Sequence, residues 1–271
     1  MNLLHLMTYL ILYSFAGWLL ESVSKTVEQR KLVNSGFLYG PFCPIYGFGA
    51  IIMILCLSSL KQNPILLFIV SFFVLSIWEY IVGIILEKIF KTKYWDYSHL
   101  KFNIQGRVCL KNSLYWGILG LLFIKYIHPF IESYTLLIPN SLLFYINTII
   151  LIAIIVDLII SSISISSFDT TVSKLNELGN TIKEKVEELK NVKVKNKLKS
   201  GIVEKANIES IEKIIKDLKY KQNKLKIKIY KQANRLKKAF PSMKSESITQ
   251  FLSQKIDLQK LKESIKRKNK E

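Results

Sequence analysis

The sequence predicts an all-α fold, a polytopic membrane helix bundle of about five spans followed by a basic cytoplasmic helical tail. Three observations carry this. Residues 1–167 contain five long apolar runs, and residues 168–271 turn polar and lysine-rich with helical spacing of their apolar side chains. Three of the apolar runs also carry one carboxylic acid each, Glu21, Glu79 and Asp157. An ionisable group in lipid-facing sequence is costly enough to require a partner or a task.

At 1.5 Å per residue, roughly 20 residues cross a hydrocarbon core of about 30 Å. The runs place spans near 3–22, 40–60, 64–87, 112–131 and 137–166. The fourth crosses only if Lys125 snorkels its ammonium to the interface. The first run lacks a basic leader and a small-residue cleavage site before Glu21, so it reads as a retained helix. The two expected domains are therefore a transmembrane domain over 1–167 and a cytoplasmic amphipathic helical tail over 168–271.

Charge orients the bundle, because short loops rich in Lys and Arg stay in the cytoplasm. Five spans put Lys25, Arg30, Lys31, Lys88, Lys91, Lys93, Lys101, Arg107 and Lys111 on one side, and only Lys61 and Lys125 on the other. The N-terminus is expected outside a bacterial cell membrane and the C-terminus in the cytoplasm. The tail holds 28 Lys+Arg against 13 Asp+Glu, so most of the net charge of +19 is expected in the cytoplasm. His5 and His128 fall on the outer side. Cys43, Cys56 and Cys109 have neither CxxC spacing nor a reason to form disulfides in a reducing compartment or in lipid.

Two connections look built for more than reach. Asn34 to Gly49 carries four glycines and two prolines at a membrane boundary, which no regular helix accommodates. Such backbone is tolerated there only under protein or beside a wet cavity. It either lines a substrate path, as discontinuous transporter helices do, or is a tightly packed start to the second helix. The connection after the third span mixes Trp95, Asp96, Asn103, Gly106 and Arg107 and reads as a packed cap over the cytoplasmic mouth.

In the tail, Leu175, Ile182 and Leu189 recur every seven residues, as do Ile211, Leu218 and Leu225, with Ile215 and Ile229 on the adjoining face. Pro241 precedes a last amphipathic stretch with Ile248, Leu252, Leu258, Leu261 and Ile265. These helices either fold as an antiparallel bundle or pair between chains as a short coiled coil.

Four motifs then appear in series: Gly17-Trp18-x-x-Glu21, Gly36-Phe-Leu-x-Gly40-Pro41-x-Cys-Pro44-Ile-Tyr46-Gly47, Trp95-Asp-Tyr-Ser98 and Phe102-Asn103-x-x-Gly106-Arg107-x-Cys-Leu110. Over about Tyr9 to Phe168 the chain resembles the bacterial membrane family called putative ABC-transporter type IV, or CmpB-like. The resemblance implies transport and a separate ATPase or other membrane subunit as partner. The chain has no GxxxxGK[ST] phosphate loop of its own, and the motifs do not cover the tail.

Counted from the outer helix ends, the three acids lie roughly 22 to 27 Å across, in the cytoplasmic half. They either share one polar pocket or, for Glu21 and Asp157, reach interfacial water. The candidate polar or substrate site comprises Glu21, Glu79, Asp157, Arg107, Asn103 and Tyr46. Gly36, Gly40, Pro41, Pro44, Gly47 and Gly106 are its structural motif. Glu79 lies deepest, with Gly83 four residues on, where a neighbouring helix could come close. Arg107 either clamps an anionic group or pairs with Asp96 or Glu87.

No catalytic, metal or cofactor pattern stands out; His99, Asp96 and Cys109 are irregularly spaced. The expectation is a non-enzyme without cofactor. The tail lacks a nucleic-acid motif and suits anionic lipid, self-association or an acidic partner better. Two functions follow: a permease-like subunit with an acidic site in the inner half of the bundle, or a membrane-anchored scaffold or sensor acting through its tail.

Overall fold

The computed structural model describes residues 2–196 and 202–253, and beyond them the single positions 257, 259, 261, 263 and 265. Gly201 and Leu258 lie outside the described residues. The chain divides into two compact units, Met1–Ile165 with Arg235–Ser245, and Ser166–Asn234 with Glu246–Glu271.

In the first unit each apolar run becomes a helix. Helix α1 (Leu3–Gln29) starts where the Asn2 side chain accepts the Leu4 amide, and stops at Arg30, whose φ of 50° reverses the chain. It extends beyond the predicted end at residue 22, because polar residues continue the helix past the apolar stretch. Helix α2 (Pro44–Leu60) is shorter than its run. Pro44 fits the first helical turn, while the preceding residues form the non-helical connection; its final turn, Ser58–Leu60, tightens to 3-10 geometry. Helix α3 (Pro64–Phe90) is capped by Asn63 and closed by Lys91 at φ 50°. Helix α4 (Leu110–Thr135) runs through Lys125 by way of a π turn at Phe123–Ile127. Helix α5 (Asn140–Ser166) completes the set. Among the described residues, four helices are long and apolar enough to cross a membrane, and α2 joins them in a membrane helix bundle.

Between α3 and α4 lies a small antiparallel hairpin, β1 (Asn103–Ile104) and β2 (Val108–Cys109). Its turn needs positive φ at two successive positions, met by Gln105 at 51° and Gly106 at 66°, and the Arg107 amide closes it onto the Ile104 carbonyl. Asn103 serves this turn: its side chain donates to the Leu100 carbonyl and accepts the Gly106 amide.

The helices of the bundle meet where side chains are smallest. A Cβ on Gly17 would overlap the Tyr46 ring, and one on Gly47 would meet the Leu10 carbonyl and Ser14 hydroxyl, so α1 and α2 are in near-backbone contact. Gly117 and Gly120 of α4 take Phe68 and Ser71 of α3 in the same way. Lipid supplies no hydrophobic drive between helices, so this close packing is what holds them. The core between these pairs is formed by Tyr9, Tyr13, Ala50, Met53, Ile54, Leu57, Leu67, Leu75, Phe123 and Ile124.

In the second unit, α6 (Phe168–Asn196) and α7 (Ile202–Ala239, up to Asn234) run antiparallel. Lys193 pairs with Glu212 at 2.6 Å, and Gly179 faces Gln222. Leu175, Ile182, Ile211, Ile215 and Ile229 are buried, while Leu189, Leu218 and Leu225 are half-buried. Helix α8 (Glu246–Ser253) buries Ile248 and Phe251, the latter edge-on to Phe168. Within the chain, then, the heptad spacing builds an antiparallel hairpin.

Candidate functional site

The three sequence-predicted acids have separate partners among the described residues. Glu21, on the face of α1 continued by Gly17, accepts the Tyr46 hydroxyl at 2.8 Å, the Ser35 hydroxyl at 2.7 Å and the Lys25 ammonium at 3.1 Å. Glu79 is buried, with 5% of its surface exposed. It accepts the Trp116 indole N–H at 2.9 Å and the Tyr97 hydroxyl at 3.2 Å. Tyr46 and Trp116 stand 6.3 Å apart, ring to ring. Glu21 and Glu79 are therefore linked through one aromatic pair, Tyr46 donating to Glu21 and Trp116 to Glu79.

Asp157 belongs to a different arrangement. It accepts the backbone amides of Tyr39 and Gly40 at 3.1 and 2.7 Å and the Ser161 hydroxyl at 3.1 Å. A carboxylate that satisfies two loop amides keeps non-helical backbone tolerable next to a membrane helix. A Cβ on Gly40 would crowd the same carboxylate.

The connection Val33–Cys43 is packed rather than loose. Gly36 takes φ 95° over the Cys43 sulfur, and the Cys43 amide bonds the Ser14 carbonyl of α1. Pro41 is exposed and Pro44 opens α2.

Arg107 pairs with Glu87 at 2.7 Å, lies over the Tyr80 ring and bonds Gln105. It does not join the acids. Gly83 faces Trp95 and Arg107, so the hairpin region rather than another helix approaches there. Asp96 is nearly enclosed: burial opposes its ionisation, but Lys244, Lys93 and Ser98 outweigh that and hold it below the usual carboxylate range. Burial and the nearby Glu79 charge raise Tyr97, which keeps it a proton donor to that carboxylate. Each of the four tryptophans donates its indole N–H: Trp18 to Asn34, Trp78 to the Ile45 carbonyl, Trp95 to the Arg107 carbonyl and Trp116 to Glu79.

A second buried polar cluster went unread in the sequence. His128 is 6% exposed, and its Nδ1 meets the Tyr13 hydroxyl at 3.0 Å. Tyr9 meets Thr135 at 3.1 Å, and Asn147 donates to Thr8 at 2.9 Å. The signal was present as a four-residue rhythm on α1, Tyr9, Tyr13, Gly17, Glu21, which lines one helical face. His128 turns inward because it follows the π turn, which shifts the α4 face that meets α1.

A family model described as "Putative ABC-transporter type IV" matches residues 8–162, more than half of the chain. The chain belongs to this family. The match covers α1 to α5 up to the turn beyond Asp157, and so includes all three acids. Neither the curated proteins nor the solved structures compared with the chain give a match.

Proposed function

We propose that this family member is the permease-like subunit of a transporter, with the Glu21–Tyr46 and Trp116–Glu79 pairs lining a polar site in the cytoplasmic half of the bundle. The observation that carries it is the state of Glu79. A buried carboxylate in a membrane bundle is held by neutral donors, Trp116, Tyr97 and Asn112, rather than by a cation. That leaves its charge available for a proton, a metal cation or a basic substrate group. The positive-inside asymmetry supports an outer N-terminus and a cytoplasmic C-terminus, and ATP hydrolysis would come from a separate subunit.

Gentle purification followed by identification of co-purifying small molecules and subunits tests this. An ATPase subunit, or a ligand lost in Glu79→Gln, supports it; neither appearing from the native membrane counts against it.

The second reading, a scaffold or sensor, is favoured by the second unit having a buried core of its own, Leu175, Ile182, Ile211, Ile215 and Ile229. Placing Asp at Leu175 and Ile182 would disrupt that core while leaving Arg235–Ser245 in the chain. A permease keeps its cellular phenotype after this change; a scaffold loses it.

A further inference from the structure

Arg235–Ser245 lies far beyond the family match, yet it packs as part of the membrane unit. Its contacts converge on the Val33–Cys43 connection and its supports. Arg235 donates to the Leu38 carbonyl at 2.9 Å and the Phe37 carbonyl at 3.3 Å, and its guanidinium lies 4.2 Å from the centre of the Tyr39 ring. Phe240 stands edge-on to Tyr94 at 4.9 Å, and Tyr94 in turn packs with Phe37 and Phe90.

The last carbonyls of α7 need partners that the helix cannot supply. Lys25 donates to the Ala239 carbonyl at 2.5 Å and Gln29 to the Lys238 carbonyl at 2.9 Å. Pro41-like punctuation recurs at Pro241, which turns the chain so that the Met243 amide closes on Phe240. Lys244 then pairs in both directions with the Lys93 backbone and sends its ammonium to Asp96 at 2.5 Å.

Two of these contacts touch the acids' own partners. Lys25 bonds both Glu21 and the Ala239 carbonyl. Tyr39, gripped by Arg235, gives its amide to Asp157. We infer that Arg235–Lys244 is a strap that closes the connection between α1 and α2, with Arg235 as the residue that positions it: while the strap is seated, the loop is held on Glu21 and Asp157, and when it lifts, the loop opens. This deepens the permease reading, since the strap would gate the same site, but its test reads closure and not transport. A failure of one therefore leaves the other standing.

Cys43 is a built-in reporter, because it is 5% exposed beneath this loop, whereas Cys109 is 2% exposed in the hairpin. The full-length Cys56→Ser protein is treated in nanodiscs with a water-soluble maleimide, and labelling is resolved by mass spectrometry. Arg235→Ala with Phe240→Ala removes two carbonyl bonds and an aromatic contact, so Cys43 should label roughly tenfold faster while Cys109 stays protected. Arg235→Lys, which keeps one donor, should fall between. A Cys43 rate within about threefold of the parent overturns the proposal, as does a rise at both cysteines together, which is what loss of the whole fold produces. Should the double variant not accumulate, hydrogen exchange on the unmodified protein decides. The amides of Tyr39, Gly40 and Lys244 should open together and ahead of the helices; opening only with the helices overturns the strap.

Discussion

Trp116 donates its indole N–H to Glu79 at 2.9 Å across 37 residues of sequence, and the same ring faces Tyr46, the donor to Glu21. An acid so placed is either a ligand-facing group or the centre of a structural network, and one substitution separates the two. Glu79→Gln keeps the shape and one acceptor but removes the charge. If Glu79 serves the site, the variant retains its thermal stability and loses ligand binding or transport. If it is structural, its stability falls by about 1–3 kcal/mol as its buried donors lose a charged acceptor. A variant normal in both respects refutes both roles.

The sequence made Glu21, Glu79 and Asp157 legible because an acid in an apolar run is conspicuous at any helical phase. Their partners were not legible. Tyr97, Trp116 and the Tyr39 and Gly40 amides come from connections and from another helix, and no periodicity in α1, α3 or α5 points to them. Arg235 was hidden more thoroughly, since an arginine among tail lysines gives no sign that it returns to the membrane unit. The helices themselves were read well, for apolar length alone decides them; the start of α2 at Pro44 was missed because the connection before it is as apolar as the helix.

Gly47 faces the Leu10 carbonyl, which a Cβ would approach to 2.5 Å, and that carbonyl is helix backbone with little freedom to move. Gly47→Ala should force α1 and α2 apart and cost roughly 1–3 kcal/mol. A drop in detergent melting temperature measures it. Unchanged melting would mean that the two helices do not cross at this point.

Tyr94 is 2% exposed, and its hydroxyl has no hydrogen-bond partner among the described residues. Burial raises its pKa, so the group remains a neutral phenol that has lost its water. Tyr94→Phe keeps the ring against Phe37, Phe90 and Phe240 and removes the stranded hydroxyl. The variant should match or exceed the parent in stability, by up to about 1 kcal/mol. A clear loss of stability would show that the hydroxyl is satisfied in the folded protein.

Asp96 carries the pH dependence of the basic end. Its folded value lies below the ordinary 3.8, so the folded state binds this proton less readily than the unfolded chain. Its contribution is therefore fully present above about pH 4 and is lost as pH falls towards the folded value. Denaturant titrations should show the parent losing stability below about pH 4 more steeply than Asp96→Asn, which lacks the contribution at neutral pH already. Parallel curves would remove Asp96 from the account.

Topology turns on the shortest apolar helix. Seventeen residues of α2 span about 25 Å, less than a hydrocarbon core of about 30 Å, whereas α4 with its π turn has length to spare. The deficit is made up if the Val33–Cys43 connection enters the membrane as covered backbone, and the bond from the Cys43 amide to the Ser14 carbonyl, halfway along α1, is what such an arrangement requires. If it does enter, all five helices cross and the two termini lie on opposite sides. Reporter fusions after residues 62, 100, 134 and 200 should read outside, cytoplasm, outside, cytoplasm. If α2 instead dips in and returns, the fusions after 62 and 100 will read the same side, only four crossings remain, and both termini will lie together. A cytoplasmic reading at 134 alone would place the failure in α4, at Lys125.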